Sequence, residues 1–128
     1  MKQLSAIFVE NSPELHDPLE AILTAENINV IGRFRNADRA VGRIRAIAPD
    51  FAIIDVWLSG MSGYELIRLL KLRRPCVKII VASGEACGKQ AVSAGADAFI
   101  LKEELGDKLA PTLRHLFPRH FARSIPRS

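Results

Sequence analysis

Short runs of consecutive apolar residues alternate along this chain with longer segments in which apolar residues recur every three or four positions. Five of the runs are four to six residues long and rich in hydrophobic side chains, which is typical of strands buried on both faces of a parallel sheet. The pattern therefore predicts five strands, at Leu4–Val9, Asn29–Phe34, Asp50–Asp55, Val77–Ala82 and Ala98–Leu101.

The segments between these runs have the spacing and the end signals of amphipathic helices. The first begins at Ser12-Pro13 and ends near Asn27. Asn36 can cap the second helix, which we expect to stop before Pro49. The remaining three are predicted from about Tyr64 to before Pro75, over Ala86–Ala94 with Gly95 as the C-cap, and over Glu103–Phe117.

Five strands alternating with five helices indicate an α/β domain with a parallel sheet that is covered on both faces. Because the crossover connections of such sheets are right-handed, a doubly wound sheet is the expected arrangement. The chain has 128 residues, which fits one domain with a core large enough to fold without disulfides or a structural metal.

The composition is that of an ordinary globular protein, with 48% hydrophobic and 25% charged residues. Cys76 and Cys87 form no pattern that suggests a disulfide framework or a zinc site. The chain begins without an apolar stretch like that of a signal peptide, and no apolar run approaches the roughly 20 residues of a membrane span. We therefore expect a cytoplasmic protein without a membrane span.

The formal charge of +4 is concentrated near the end of the chain, where no acidic residue follows Asp107. One interpretation is a helix whose cationic end complements its dipole, followed by a frayed polar tail. The other is a docking patch for an acidic partner, a membrane surface or nucleic acid. The basic side chains concerned are Arg114, His115, Arg119, His120, Arg123 and Arg127.

Polar side chains stand directly after four of the five predicted strands. In open α/β sheets, sites form outside the carboxyl ends of the strands, so these side chains are expected to share one edge of the sheet. They are Glu10 and Asn11 after the first strand, Asp55 at the end of the third, Ser83 after the fourth and Lys102 after the fifth.

This set of side chains suits phosphoryl transfer. The Asp55 carboxylate can act as a nucleophile that forms an aspartyl phosphate. Glu10 and Asp55 repel each other unless a cation lies between them, and an oxygen-rich pair with an amide nearby suits Mg²⁺. Lys102 supplies positive charge for the phosphoryl oxygens, and the Ser83 hydroxyl can donate a hydrogen bond to one of them.

Nearly the whole chain, from about Leu4 to Phe117, resembles the receiver domain of two-component response regulators. The segments that carry the resemblance are IFVEN, IIDVWLSGMSGYEL, KIIVASGE and AGADAFILK. The second is the most specific, because an Asp followed after a short loop by G-M-x-G is characteristic of the family's phosphoacceptor region. The resemblance implies a flavodoxin-like fold, with five parallel strands in the order 2-1-3-4-5.

The resemblance also implies a role for each residue at the strand ends. Asp55 matches the phosphoacceptor, Lys102 the phosphoryl-binding lysine and Ser83 the hydroxyl that moves toward the phosphoryl group. Phe99 matches the aromatic residue that swings inward on activation. The implied Mg²⁺ ligands are Glu10, Asn11, Asp55 and the backbone carbonyl of Trp57.

The chain departs from the family pattern at several positions. Asn11 stands where the family usually has a second Asp, which removes one negative charge and is expected to lower the affinity for Mg²⁺. Asn11 could instead be only a helix cap, and Ser83 only a turn residue. Glu103 replaces the usual Pro, and the Ser83–Lys102 interval is short by about one helical turn. Phe99 has no hydroxyl, and Trp57 either packs over the adjacent helix or contacts a partner.

We expect a stand-alone receiver, at residues 1–117, that takes a phosphoryl group on Asp55 from a histidine kinase or a phosphotransfer protein. Phosphorylation would shift a two-state balance in the face formed by the fourth helix, the fifth strand and the last helix. No cofactor loop or nucleophile triad is present, so a turnover enzyme is not expected. Residues 118–128 would form a basic C-terminal tail.

The sequence predicts no DNA-binding domain, so output is expected through a downstream protein partner, and a homodimer is compatible with this reading. The alternative is a pseudo-receiver, in which the same fold serves as a phosphorylation-independent protein-binding module. Its best support is Asn11 in place of a metal-ligating Asp. The chain could also be a fragment of a longer regulator.

Overall fold

The computed structural model describes residues 3–122. The strands are β1 (Ser5–Val9), β2 (Asn29–Phe34), β3 (Phe51–Ile54), β4 (Lys78–Ser83) and β5 (Ala98–Leu101). The helices are α1 (His16–Ala25), α2 (Ala37–Ile44), α3 (Gly63–Arg73), α4 (Gly88–Ala94), α5 (Leu105–Leu116) and α6 (Pro118–Ala122). None of the helices in this part of the chain combines the length and the hydrophobicity needed to cross a lipid bilayer.

The five strands form one parallel sheet in the order β2-β1-β3-β4-β5, which confirms the predicted fold. In the register of the central strands, Val9 lies beside Ile54 and Ile54 beside Val81. Ser83 pairs with Leu101 at the same edge. The carboxyl ends of β1, β3, β4 and β5 therefore meet along one edge of the sheet.

Alternate residues of each strand contribute to two separate cores, one on each face of the sheet. On β3, for example, Phe51 and Ile53 point to one face, and Ala52 and Ile54 point to the other. The first face is covered by α1 and α5, and the second by α2, α3 and α4. Near-continuous apolar strands are therefore required, because both faces of the sheet are buried.

Two helix starts differ from the prediction. The residues expected to begin the first and last helices form short 3-10 turns, at Pro13–Leu15 and Lys102–Glu104, before α1 and α5 begin. Pro13 fixes its own backbone angle and has no N–H to donate, which suits a tight first turn. Asn36 caps α2 as predicted, because its side chain accepts a hydrogen bond from the N–H of Arg39.

The first residues of the expected basic tail are not frayed. Pro118–Ala122 forms α6, and Phe121 packs with Phe117 against the core that α1 and α5 cover. The ring of Phe117 lies 5.8 Å from that of Phe51. These partly buried aromatic contacts hold α6 against the core. Arg123 and Arg127 lie outside the described residues.

Candidate functional site

Asp55 follows β3 directly and lies at the carboxyl edge of the sheet. The residue is only 4% exposed. One carboxylate oxygen, Oδ1, accepts a hydrogen bond from the N–H of Trp57 at 3.0 Å. The other, Oδ2, accepts one from Nζ of Lys102 at 2.9 Å. A buried carboxylate is stable only with partners of this kind, and these partners fix its orientation.

The loop between β3 and α3 passes so close to Asp55 that only glycine fits at position 63. The N–H of Gly63 donates to the carbonyl of Val56 at 3.2 Å. A Cβ atom on Gly63 would overlap the backbone carbonyl oxygen of Asp55 and would lie 2.5 Å from Cα of Val56. Gly60 has a φ of +75°, a conformation that favours glycine. The two glycines of the G-M-x-G motif thus shape the loop around the carboxylate.

Lys102 follows β5 and joins the two buried carboxylates of the site. Its Nζ lies 2.8 Å from Oε1 of Glu10 and 2.9 Å from Oδ2 of Asp55. Partial burial lowers the pKa of the Lys102 ammonium, but its hydrogen bonds to the two carboxylates and their charges outweigh burial. The pKa of Lys102 therefore lies above its ordinary value. The ammonium offsets the repulsion between the two acids.

Glu10 is held from both its side chain and its backbone. It is 4% exposed, and its second oxygen, Oε2, accepts a hydrogen bond from the N–H of Ser12 at 2.9 Å. Its backbone carbonyl oxygen lies 2.8 Å from Nε2 of His16, which must carry the proton because a carbonyl can only accept. His16 is buried, and its ring lies edge-on against Phe8. His16 thus positions Glu10, a role that no hydrophobic pattern indicates.

Ser83 is fully buried at the end of β4, on the same edge as Asp55. Its Oγ accepts a hydrogen bond from the N–H of Glu85 at 3.2 Å, so in this state the hydroxyl oxygen shapes the turn. Phe99 is half-buried on β5 and packs against the core on the α2–α3–α4 face. Its ring lies against Gly88, at the start of α4, with Cδ2 3.7 Å from where a Cβ would stand.

Of the remaining two predicted residues, Trp57 contacts the site and Asn11 does not. The backbone N–H of Trp57 contacts Asp55, while the residue is 64% exposed. The indole is therefore largely open to solvent. Asn11 is exposed, and within residues 3–122 no hydrogen bond or ion pair joins its side chain to Glu10, Asp55 or Lys102. Asn11 instead lines a neighbouring polar groove.

The donors beside Lys102 can be compared with what Mg²⁺ requires. In the described part of the chain, no three His, Cys, Asp or Glu side chains come together as a metal site. Mg²⁺ does not need three, because it keeps several waters and binds proteins through one or two carboxylates. Glu10 and Asp55 supply two, and each of their oxygens has a second lone pair beyond its present hydrogen bond. The pair therefore fits Mg²⁺, with Lys102 as the competing cation.

A cavity of about 270 Å³ opens beside the three charged side chains, between α1 and α5. Its wall is mostly apolar, and Glu103 is a fourth charged lining residue. Asp55 borders this cavity. The apolar wall is formed by Val9, Leu15, Pro18, Leu19, Ile22, Ile53, Ala82 and Leu105.

The family model of the response regulator receiver domain matches residues 6–114 of this chain. The chain is 28% identical over 104 residues to the DNA-binding transcriptional activator EvgA of Escherichia coli K12, which covers 79% of this chain and 51% of EvgA. It is 33% identical over 101 residues to protein-glutamate methylesterase/protein-glutamine glutaminase 3 of Myxococcus xanthus, which covers 74% of this chain and 28% of that protein. The chain thus spans about half the length of EvgA and less of the methylesterase.

Solved structures show the same fold. The RcsB response regulator of Salmonella typhimurium superposes with a TM-score of 0.84 at 21% identity, covering 93% of this chain and 62% of that chain. TrrA of Thermotoga maritima, solved in complex with Mg²⁺-BeF, superposes with a TM-score of 0.79 at 20% identity, covering 89% of this chain and 99% of that chain. Fold and family match together show that the chain belongs to the response regulator receiver domains of two-component systems.

Proposed function

We propose that this receiver accepts a phosphoryl group on the carboxylate of Asp55. The observation that carries the proposal is the buried Asp55 carboxylate, fixed at a strand end with Lys102 at 2.9 Å and Glu10 on the same ammonium. Receiver domains are generally phosphoacceptors for histidine kinases or phosphotransfer proteins. A phosphohistidine of such a protein is therefore the donor that we propose.

The chemistry assigns a task to each side chain. An oxygen of Asp55 attacks phosphorus, the bond between phosphorus and the donor nitrogen breaks, and the histidine leaves with its electron pair and takes up a proton. The ammonium of Lys102 stabilises the negative charge on the phosphoryl oxygens, and Glu10 holds Lys102 close to them. Mg²⁺, when bound at Glu10 and Asp55, would neutralise negative charge that accumulates between them. The chain turns over no substrate of its own in this proposal.

Phosphorylation of Asp55 would change the conformation of the β4–α4 loop. Ser83 now accepts a hydrogen bond from Glu85, and its hydroxyl is the donor that we propose for a phosphoryl oxygen on Asp55. Drawing Ser83 toward Asp55 would shift the loop that leads to Gly88, against which the ring of Phe99 packs. The face formed by α4, β5 and α5 would then present a different surface to a downstream protein. We propose that this takes place in the cytoplasm, because two free cysteine thiols are compatible with a reducing compartment.

The test is the intact mass of the protein after incubation with a small-molecule phosphodonor, with and without Mg²⁺. We expect one phosphoryl adduct that requires Mg²⁺. The adduct should be absent from Asp55→Asn and retained by Asp107→Asn, which removes an exposed carboxylate elsewhere. An adduct that survives in Asp55→Asn would contradict the proposal.

A second candidate is the pseudo-receiver, a binding module that is not phosphorylated. The observation that favours it is Asn11, which is exposed and brings no carboxylate to the site. This candidate predicts neither an adduct nor measurable Mg²⁺ binding. Mg²⁺ titration by calorimetry therefore separates the two candidates, because the first requires saturable binding that Asp55→Asn weakens.

A further inference from the structure

A polar groove lies next to the phosphoacceptor edge and takes no part in the proposed phosphoryl transfer. Its volume is about 350 Å³, within the usual range of small-ligand sites. Three loops meet there, because each follows one of the adjacent strands β1, β2 and β3. The lining residues are Asn11, Arg35, Asn36, Arg39 and Ser59, and this set is called the arginine groove below.

The two guanidinium groups of the arginine groove have no acidic partner among the described residues. Within residues 3–122, neither Arg35 nor Arg39 forms an ion pair with a carboxylate. Arg33, two residues before Arg35, shows the contrast, since it pairs with Asp17 at 3.0 Å and Glu20 at 2.8 Å. Positive charge in the arginine groove is therefore available to a ligand.

Neither Glu10 nor Asp38, the two acids next to lining residues in the chain, is itself a lining residue. Glu10, adjacent to Asn11 in the chain, is buried and bound to Lys102 and Ser12. Asp38, on α2, is exposed, and its Oδ2 lies beside Gly60, at 3.3 Å from where a Cβ on that residue would stand. The lining residues thus carry two positive charges and no negative charge.

The remaining lining groups identify the class of ligand. Guanidinium groups bind phosphate oxygens through paired N–H donors, and amide and hydroxyl groups add further donors. Asn11, Asn36 and Ser59 supply those groups. No apolar or aromatic side chain lines the arginine groove, so it offers nothing against which a nucleotide base could pack. These features fit a small, multiply charged phosphate compound rather than a nucleoside.

We propose that the arginine groove binds a small phosphate-bearing anion, of the size of phosphate or pyrophosphate. This site is separate from the phosphoacceptor, because it uses neither Asp55 nor Lys102. The two sites are adjacent in the sequence, because Asn11 of the arginine groove directly follows Glu10 of the phosphoacceptor site. The Asp that the family usually has at this position would place a negative charge among the lining residues and repel an anion. Asn11 carries no charge and is therefore compatible with a bound anion.

The test is a titration with inorganic pyrophosphate, followed by amide chemical shifts and by calorimetry. It is run at constant ionic strength, without Mg²⁺ and in a phosphate-free buffer. We expect saturable binding with the largest shifts at Asn11, Arg35–Arg39 and Ser59. Arg35→Gln and Arg39→Gln should each weaken binding at least tenfold. Arg73→Gln, which removes the same charge from an exposed position in the last turn of α3, should change it less than twofold.

Two further variants separate this proposal from the proposed function. Asp55→Asn should leave pyrophosphate binding within twofold, even though it abolishes phosphorylation. Asn11→Asp should weaken pyrophosphate binding at least tenfold while the protein stays folded by circular dichroism. Absence of saturable binding, equal weakening by Arg73→Gln, or shifts centred on Lys102 would overturn the proposal. Adenosine diphosphate that binds much more tightly than pyrophosphate would overturn the assigned ligand class.

Discussion

The ammonium of Lys102 lies 2.9 Å from the carboxylate of Asp55, although 47 residues separate them in the sequence. The contact arises because β3 and β5 run in the same direction on either side of β4, so their carboxyl ends meet at one edge. The same ammonium reaches Glu10 at the end of β1. One lysine thus balances two buried acids that come from different strands.

Replacing Lys102 by Met should destabilise the fold at neutral pH and low salt. Two buried carboxylates would then face each other without a cation, and we expect a loss of about 1–3 kcal/mol in the free energy of unfolding. Urea denaturation measures this loss, with the exposed Lys108→Met as the matched control. Added Mg²⁺ should stabilise Lys102→Met more than the native chain. A loss no larger than in Lys108→Met would contradict this account.

His16 should matter through its hydrogen bond rather than its charge. In His16→Ala the buried carbonyl of Glu10 loses its donor, and we expect a loss of about 1–3 kcal/mol. His16→Gln retains an N–H donor and should lose less. The rate of adduct formation should fall in the same order, because Glu10 is then held less firmly beside Lys102. Equal stability and rate in the two variants would argue against a positioning role.

The two cores and the shared edge could be predicted from the sequence because they depend on periodicity and strand order. Apolar runs fix which residues are strands, and a parallel sheet brings Glu10, Asp55, Ser83 and Lys102 to one edge. His16 could not be predicted in this way, because its role depends on a tertiary contact with a backbone carbonyl. The sequence pattern around a single histidine in an amphipathic helix does not predict such a contact.

The short helix after α5 could have been predicted, and the missed signal is local. Pro118 suits the first position of a helix, and Phe117 and Phe121 are spaced to lie on one face. The arginines and histidines of this segment, taken alone, indicate a polar tail instead. The arginine groove was missed for another reason, since exposed arginines on a loop and a helix are ordinary until the fold brings them together.

Gly63 and Gly42 should respond in opposite directions to alanine. A Cβ at Gly63 would collide with the backbone at Asp55 and Val56, so we expect Gly63→Ala to cost about 2 kcal/mol or more. Gly42 lies within α2 with open space around its Cβ position, and Gly42→Ala should stabilise by about 0.5–1 kcal/mol. Thermal unfolding of both variants measures the difference. Tolerance of Gly63→Ala would contradict the tight loop.

Tyr64 should titrate well above the ordinary value for a phenol. Burial, followed by a hydrogen bond with Cys87, raises the pKa of Tyr64 to about 12 from 10.0. This group stabilises the fold fully below pH 10, and the contribution is lost as the pH rises through about 12. Tyr64 is the only tyrosine, so phenolate absorbance reports it alone. Cys87→Ala should lower the pKa of Tyr64. A pKa of 10 for Tyr64 in the folded native chain would contradict its burial and its hydrogen bond with Cys87.

Borohydride reduction followed by peptide mapping locates the phosphoryl group on the protein. Borohydride converts an aspartyl phosphate to homoserine, and peptide mass spectrometry of the phosphorylated and reduced protein identifies the converted residue. We expect homoserine at position 55 and unchanged aspartate at every other position, with no conversion when the phosphodonor is omitted. Homoserine at another aspartate, with position 55 unchanged, would contradict it.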